Sequence, residues 1–117
     1  MPTPDAATFA EEWVRAWNAH DVEAVLAHFH DDVEFTSPVA ARFLPETGGV
    51  VRGKPALRDY WVHALGLLPD LHFEVIAVYR GESVLVINYR NQRGQLVNEV
   101  LRFDGDLIRE GHGTYLD

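Results

Sequence analysis

The chain has 117 residues, no cysteine and a formal net charge of −8. Its length suits a single domain, residues 1–117, and the lack of cysteine excludes disulfides, thiol nucleophiles and cysteine metal sites. The acidic balance without a Lys/Arg cluster argues against nucleic acid and anionic membranes as partners, and no apolar run approaches the roughly 20 residues of a membrane span.

The first residues also lack the basic and apolar stretches of a signal peptide, so we expect a cytoplasmic location. Thr3, Pro4 and Asp5 are typical of a helix start. The helix that follows has an apolar stripe at helical spacing, formed by Phe9, Trp13, Ala16, Trp17 and His20. Asp21 is the expected cap of a second, shorter helix.

The middle of the chain changes to a short strand over Val33 to Ser37, which Pro38 stops. Residues 38–50 have no regular pattern but are apolar for a loop, which favours a segment folded over a pocket mouth. Val50–Arg52 suits a short strand. A third helix begins at Gly53-Lys54-Pro55, and its apolar positions are Leu57, Tyr60, Trp61, Ala64, Leu65 and Leu68.

The last third predicts four strands, at 72–80, 83–91, 95–103 and 106–115. Asp104-Gly105, between two alternating runs, is the strongest hairpin signal. Three helices followed by an antiparallel meander predict an α+β fold. We expect a cone-shaped roll in which three N-terminal helices pack on a curved, mostly antiparallel sheet and leave one end open.

Polar side chains interrupt the apolar face of this sheet. Two-residue turns at Arg93-Gly94 and Asp104-Gly105 would pair Glu99 with Asn88 and with Glu110, and Val97 with His112. Two facing carboxylates would repel each other unless one of them is protonated. A carboxyl whose pKa is raised in this way can act as a general acid or base. A slip of one residue would exchange the faces. The alternative is therefore that Glu99 and Glu110 lie at the solvent-exposed edge of the sheet and pair with arginines.

The predicted site combines this cluster with the helices above it. We assign Glu99, His112 and Glu110 as candidate catalytic residues. The candidate ligand-binding residues are Trp13, Trp17, Phe35, Ser37, Tyr60, His63, Asn88 and Leu101. No metal is expected, because the spacing of the histidines from His20 to His30 matches no usual zinc motif, and nothing resembles a nucleotide-binding loop.

Four stretches carry a family resemblance: Trp13–Asp21, Phe29–Pro38, Val51–Trp61 and Arg102–Ile108. They resemble the nuclear transport factor 2-like superfamily, in particular its SnoaL-like polyketide cyclases and ketosteroid isomerases. The resemblance implies the cone fold, a hydrophobic pocket and a homodimer formed through the sheet. We assign the dimer to the sheet face that carries Leu85, Ile87, Tyr89 and Val100.

The isomerase machinery does not carry over to this chain. That family has an aspartate base where this chain has Ser37, an oxyanion-binding tyrosine at the position of Trp13, and a protonated aspartate at the position of Glu99. Steroid isomerisation by the family mechanism is therefore not expected, and the epoxide hydrolases of the same fold use an Asp-Arg-Asp set that has no clear match here.

The expected function is a cofactor-free enzyme that isomerises, cyclises or dehydrates an apolar oxygenated molecule by proton transfer through Glu99 and His112. The alternative is a non-catalytic module that uses the same pocket to bind a ligand or a partner, because this fold alone does not settle function.

Overall fold

The computed structural model describes residues 4–117, which form an α+β roll. In chain order its elements are α1 (Ala6–Asn18), α2 (Val22–Leu26), β1 (Phe29–Thr36), α3 (Pro38–Phe43), a 3-10 turn (Pro45–Thr47), β2 (Val50–Arg52), α4 (Lys54–Leu67), β3 (Glu74–Arg80), β4 (Val84–Arg90), β5 (Leu96–Asp104) and β6 (Leu107–Tyr115). None of the helices described here is long and apolar enough to cross a membrane.

The helix starts follow the capping chemistry of the sequence. Asp5 accepts a hydrogen bond from the Thr8 amide, and Asp21 accepts one from the Ala24 amide. Thr3, which the sequence offers as a further cap, lies outside the described residues. Four members of the predicted apolar stripe, Phe9, Trp13, Ala16 and Trp17, are buried on α1. His20, the fifth, lies beyond the end of the helix with φ 58° and is half-buried.

The stretch after β1 is more regular than the sequence indicated. Residues 38–43 form α3, where Pro38 occupies the first turn and the Ser37 hydroxyl accepts a hydrogen bond from the Val39 amide. Four α-helices in residues 4–117 therefore replace the expected three.

One mixed sheet of six strands, in the order β2-β1-β6-β5-β4-β3, supports the helices. The predicted meander of β3 to β6 is confirmed, and β1 joins it in parallel with β6. We call the side of the sheet that faces α1 and α4 the inner face and the opposite side the outer face. The inner face carries Leu85, Ile87, Leu101 and Ile108, which are completely buried in the core.

The turn between β4 and β5 is longer than predicted. The turn has five residues, 91–95. The side-chain oxygen Oδ1 of Asn91 closes it by accepting hydrogen bonds from the backbone amides of Arg93 and Gln95. Asn88 consequently pairs with Asn98, and Ile87 pairs with Glu99. The expected Asn88–Glu99 pair is wrong by one residue, which moves Asn88 to the outer face.

The second predicted register changes for two reasons. The hairpin turn lies at Gly105-Asp106 instead of Asp104-Gly105, because Asp104 pairs with Leu107, and β6 contains a β-bulge. Phe103 pairs with Ile108 and Arg102 with Glu110, so Arg109 is the extra residue. Glu99 therefore lies opposite Gly113, and Val100 opposite His112. The expected pairs Glu99–Glu110 and Val97–His112 are wrong.

The same registers overturn the expected composition of the outer face. Leu85, Ile87 and Tyr89 are buried on the inner face, and only Val100 of the predicted set points outwards. The outer face instead carries a row in which Val86, Val100, His112 and Thr36 are successive partners.

The end of α1 holds the chain segment that leads into β3. The Asn18 side chain donates to the Phe73 carbonyl oxygen at 3.0 Å and accepts from the Phe73 amide at 2.8 Å. One turn on, the His20 ring nitrogen Nε2 lies 2.8 Å from the Leu71 carbonyl oxygen. The Asn-Ala-His run thus fixes a segment whose side chains form part of the pocket wall described next.

Candidate active site

A cavity of about 480 Å³ opens between the helices and the inner face of the sheet. Its volume lies within the range of roughly 300–1,000 Å³ that is usual for small-molecule sites. Six of the sequence-predicted site residues line it: Trp13, Trp17, Phe35, Ser37, Tyr60 and Glu99. The assignment of Glu99 as a catalytic residue and of the other five as ligand contacts stays a prediction.

Aromatic rings form most of the cavity wall. Phe73 stacks on Trp13 with 5.7 Å between ring centroids, and it also contacts Tyr89 at 4.4 Å. Trp61 contacts Trp17 and Phe35 edge-on at 4.9 and 5.5 Å. Such a wall offers flat apolar surfaces and aromatic edges to a planar ligand.

The inner end of the cavity is polar. Ser37 and Glu99 are the buried polar residues of the described chain, with 8% and 7% of their surface exposed. The Tyr89 hydroxyl donates a hydrogen bond to Oε1 of Glu99 at 3.0 Å. Burial raises the pKa of the Glu99 carboxyl to about 7, and the bond from Tyr89 lowers it only in part. Near neutral pH this carboxyl can therefore both accept and donate a proton.

Three tyrosines surround this carboxyl and keep their protons. Burial raises the pKa of Tyr60 and of Tyr89 well above the usual tyrosine range, and that of Tyr115 to about 12. The negative charge of Glu99 adds to each shift. All three phenols are thus hydrogen-bond donors at neutral pH, close to one ionisable carboxyl.

Two glycines of β6 make room for this arrangement. A Cβ atom at Gly113 would lie 3.4 Å from the Ser37 hydroxyl and 3.6 Å from Oε1 of Glu99. A Cβ atom at Gly111 would lie 3.0 Å from the Phe35 ring, which is tighter than nine in ten real Cβ contacts. The glycines flanking His112 therefore let β1 side chains and Glu99 approach the backbone of β6.

The remaining predicted site residues lie elsewhere. Glu110, His112 and Asn88 are on the outer face, where they bind Arg102, Thr36 and Asn98 respectively. The Nδ1 atom of His112 is 2.7 Å from the Thr36 hydroxyl. The expectation that Glu99, Glu110 and His112 share one face is therefore wrong, and the latter two do not line the cavity.

His63 and Leu101 do not line the cavity either. His63 is exposed and contacts the ring of Phe43, a lining residue, at 6.3 Å between ring centroids. Leu101 lies on the inner face but is completely buried in the core.

Several lining residues were not anticipated. Those that bring polar groups are Arg42, Tyr89, Asn91, Gln92, Arg93, Gln95 and Tyr115. Tyr89 was missed because the wrong register placed it on the outer face, whereas its alternation with Leu85 and Ile87 does mark one face. Arg42 belongs to the segment 38–50, whose apolar composition indicated that it folds over a pocket. Val39 and Phe43 of the same segment also line the cavity.

Within residues 4–117, no group of three or more His, Cys, Asp or Glu side chains is arranged to hold a metal ion.

Comparison with known proteins gives a consistent family. A model of the SnoaL-like domain matches residues 10–110. The crystal structure of a SnoaL-like protein of unknown function from Burkholderia thailandensis is 38% identical, with a TM-score of 0.89 over 95% of this chain and 93% of that one. A search among curated proteins finds no significant match.

Two more distant structures share the fold alone. An NTF2-like protein of unknown function from Cytophaga hutchinsonii is 12% identical, with a TM-score of 0.72 over 94% of this chain and 88% of that one. TerC, co-crystallised with polyporic acid, is 14% identical, with a TM-score of 0.77 over 94% and 90%. The predicted fold and resemblance are confirmed, and the chain belongs to the SnoaL-like domain family.

Proposed function

We propose that this chain is a cofactor-free enzyme that moves a proton on an apolar, oxygenated small molecule. The observation that carries the proposal is the buried Glu99 carboxyl, with a pKa raised by burial to about 7, at the polar end of an aromatic cavity. A pKa near the working pH is what general acid–base catalysis requires. TerC, which shares the fold, was co-crystallised with polyporic acid, and a small organic ligand is proposed for this cavity as well.

The chemistry follows from the neighbours of Glu99. In its ionised form Glu99 takes a proton from a carbon next to a ligand carbonyl, and the electron pair moves to the carbonyl oxygen. A protonated phenol, Tyr60 or Tyr115, donates a hydrogen bond to that oxygen. Glu99 then gives the proton back in one of three ways. In an isomerisation it protonates another carbon of the enolate system. In a cyclisation the enolate carbon attacks a second carbonyl of the same molecule and Glu99 protonates the resulting alkoxide. In a dehydration Glu99 protonates the β-hydroxyl, which leaves as water while the enolate collapses to the enone.

Tyr89 has a positioning role in this scheme. Its hydroxyl is bound to Oε1 of Glu99, which leaves the other carboxylate oxygen as the proton-transfer atom. His112 has no part in the scheme, because it binds Thr36 on the outer face.

Hydrogen–deuterium exchange tests the proposal without knowledge of the natural substrate. Aryl 1,3-diketones and cyclic enones are incubated with the protein in deuterium oxide, and NMR follows deuterium uptake next to the carbonyl. The wild type should accelerate uptake by at least one of these compounds, and Glu99→Gln should slow it about 100-fold or more.

Glu110→Gln is the matched control, because it makes the same change on the neighbouring strand but on the outer face. It should leave the exchange rate unchanged. Equal rates in the wild type and Glu99→Gln, with ligand binding retained by both, would instead assign the cavity to the non-catalytic binding module.

We also propose that the outer face pairs with a second copy of the chain. Val86 and Val100 are neighbours on that face, and Tyr79, the partner of Val86 on β3, is 62% exposed. This apolar surface on a sheet supports a sheet-to-sheet homodimer. Analytical ultracentrifugation should give a dimer for the wild type and a monomer for Val100→Lys, and a monomeric wild type would contradict the proposal.

A further inference from the structure

The charge of the cavity is opposite to that of the chain as a whole. The sequence has 18 acidic and 10 basic residues. Among the described residues that line the cavity, the charged side chains are Arg42, Arg93 and Glu99. Since Glu99 is buried and only partly ionised at neutral pH, the cavity lining has a net positive charge.

The two cavity arginines have no carboxylate partner within residues 4–117. Arg52, Arg58, Arg102 and Arg109 each form a salt bridge with a glutamate or an aspartate. Within the described residues the arginines without a salt bridge are Arg15, Arg42, Arg80, Arg90 and Arg93, and of these Arg42 and Arg93 line the cavity. In a chain so rich in carboxylates, two guanidinium groups without such a partner are free to bind an anion from outside.

Their position divides the cavity into three zones. Arg42 on α3 and Arg93 in the β4–β5 turn are both exposed, so they mark its open end. The buried Glu99 lies inside the cavity, and Trp13, Trp17 and Phe73 form its aromatic zone.

The net charge of −8 would by itself favour a neutral or cationic ligand. Charges beyond a Debye length of about 8 Å are largely screened at physiological ionic strength, whereas a ligand at the cavity mouth meets the guanidinium groups directly. The local charge therefore decides which ligands the cavity selects.

We propose that the ligand is an anion with a planar, largely apolar body, whose carboxylate binds Arg42 and Arg93 while its ring system fills the aromatic zone. This orientation sends the opposite, oxygen-bearing end of the molecule towards Glu99, and in that respect it rests on the proposed function. Selection of the anion itself requires only the two arginines and the aromatic wall.

Two dyes with the same ring system test the proposal. 1-Anilinonaphthalene-8-sulfonate carries one negative charge, and N-phenyl-1-naphthylamine lacks the sulfonate and is neutral. Fluorescence titration of the wild type should give one bound sulfonate dye per chain, with an affinity that falls as salt is added. The double variant Arg42→Gln/Arg93→Gln should bind the sulfonate dye about tenfold more weakly and the neutral dye with less than a twofold change.

The double variant Arg52→Gln/Arg109→Gln is the control, because it also removes two positive charges, but from residues that do not line the cavity. It should bind both dyes as the wild type does. An equal loss in this control, or sulfonate binding unchanged by Arg42→Gln/Arg93→Gln, would overturn the proposal.

The Glu99→Gln variant separates this inference from the proposed function. If the cavity arginines select the sulfonate dye and Glu99→Gln leaves deuterium exchange unchanged, the anion site stands and the enzymatic assignment fails. If Glu99→Gln abolishes exchange and the arginine variants bind the dye normally, the enzymatic assignment stands and the anion site is refuted.

Discussion

The inner and outer faces of β5 and β6 give two glutamates opposite properties. Glu99, on the inner face, is buried, and burial raises the pKa of its carboxyl to about 7. Glu110, on the outer face of the next strand, is hydrogen-bonded by Arg102, which lowers the pKa of its carboxyl. The same residue type is therefore a carboxyl that titrates near neutral pH on the inner face and an anion at neutral pH on the outer face.

The comparison predicts a pH-dependent stability difference centred on Glu99. The usual glutamate pKa of 4.5 applies in the unfolded chain, so between that value and about 7 the unfolded state loses the proton that the folded state retains. The free energy of unfolding should fall by about 3 kcal/mol as the pH rises through this window, and it should level off above pH 7.

Urea denaturation of the wild type and Glu99→Gln at pH 4.5 and pH 8 measures this difference. The variant should gain stability relative to the wild type as the pH rises, and Glu110→Gln should not. Parallel pH profiles for the wild type and Glu99→Gln would mean that Glu99 is not held in its protonated form.

The two inner-face glycines should respond differently to alanine. At Gly111 the new methyl group meets the buried Phe35 ring at 3.0 Å, and crowding of this kind costs roughly 1–3 kcal/mol. At Gly113 the nearest atom is the Ser37 hydroxyl at 3.4 Å, so Gly113→Ala should change stability by less than about 1 kcal/mol.

Thermal denaturation of both variants checks this expectation. Equal losses would contradict the close approach of Phe35 to β6. Gly113→Ala should nevertheless slow deuterium exchange, because its methyl group enters the space beside Oε1 of Glu99.

On the outer face, removal of His112 should have a smaller effect. His112→Ala removes one hydrogen bond, to the Thr36 hydroxyl, and this loss costs about 1 kcal/mol. Binding of the neutral naphthylamine dye should be unchanged, since the side chain lies outside the cavity. A large loss of dye affinity in a fully folded variant would place His112 in the site after all.

The smallest effect is expected at the neighbouring ion pair. Arg102 is half exposed, and a salt bridge in that position contributes little to stability because solvent screens it. Arg102→Gln should therefore lower the urea midpoint slightly in dilute buffer, and 1 M salt should abolish the difference. A salt-independent loss would indicate packing rather than charge.

Much of the fold was predictable from local sequence signals. The stripe of α1, the third predicted helix and the limits of four strands follow from hydrophobic periodicity and turn residues. The inner face of β5 was also predictable, because Glu99, Leu101 and Phe103 alternate with exposed residues.

The composition of the site was less predictable because it depends on the pairing register of the strands. A shift of one residue exchanges the side chains on the inner and outer faces. The β4–β5 turn has five residues, and only the Asn91 side chain that closes it offered a signal, three residues before Gly94. The bulge at Arg109 involves no glycine or proline, so nothing in the local sequence marked it. Each of these features displaces the pairing by one residue, and such a displacement exchanges the two faces of a strand. For this reason Asn88, Glu110 and His112 were predicted on the wrong face.

The bulge at Arg109 also has a consequence for how such a pocket can change its chemistry. Loss of this one residue would remove the bulge but leave Glu110 opposite Arg102, so residues 110–115 would keep their present faces. If Arg109 were instead kept and paired regularly with Arg102, residues 110–115 would turn over and Glu110 and His112 would point inwards. They would enter the space that Phe35 and Ser37 now occupy above Gly111 and Gly113. The extra residue of the bulge therefore decides which set of reactive side chains of β6 faces the cavity, while the fold is retained.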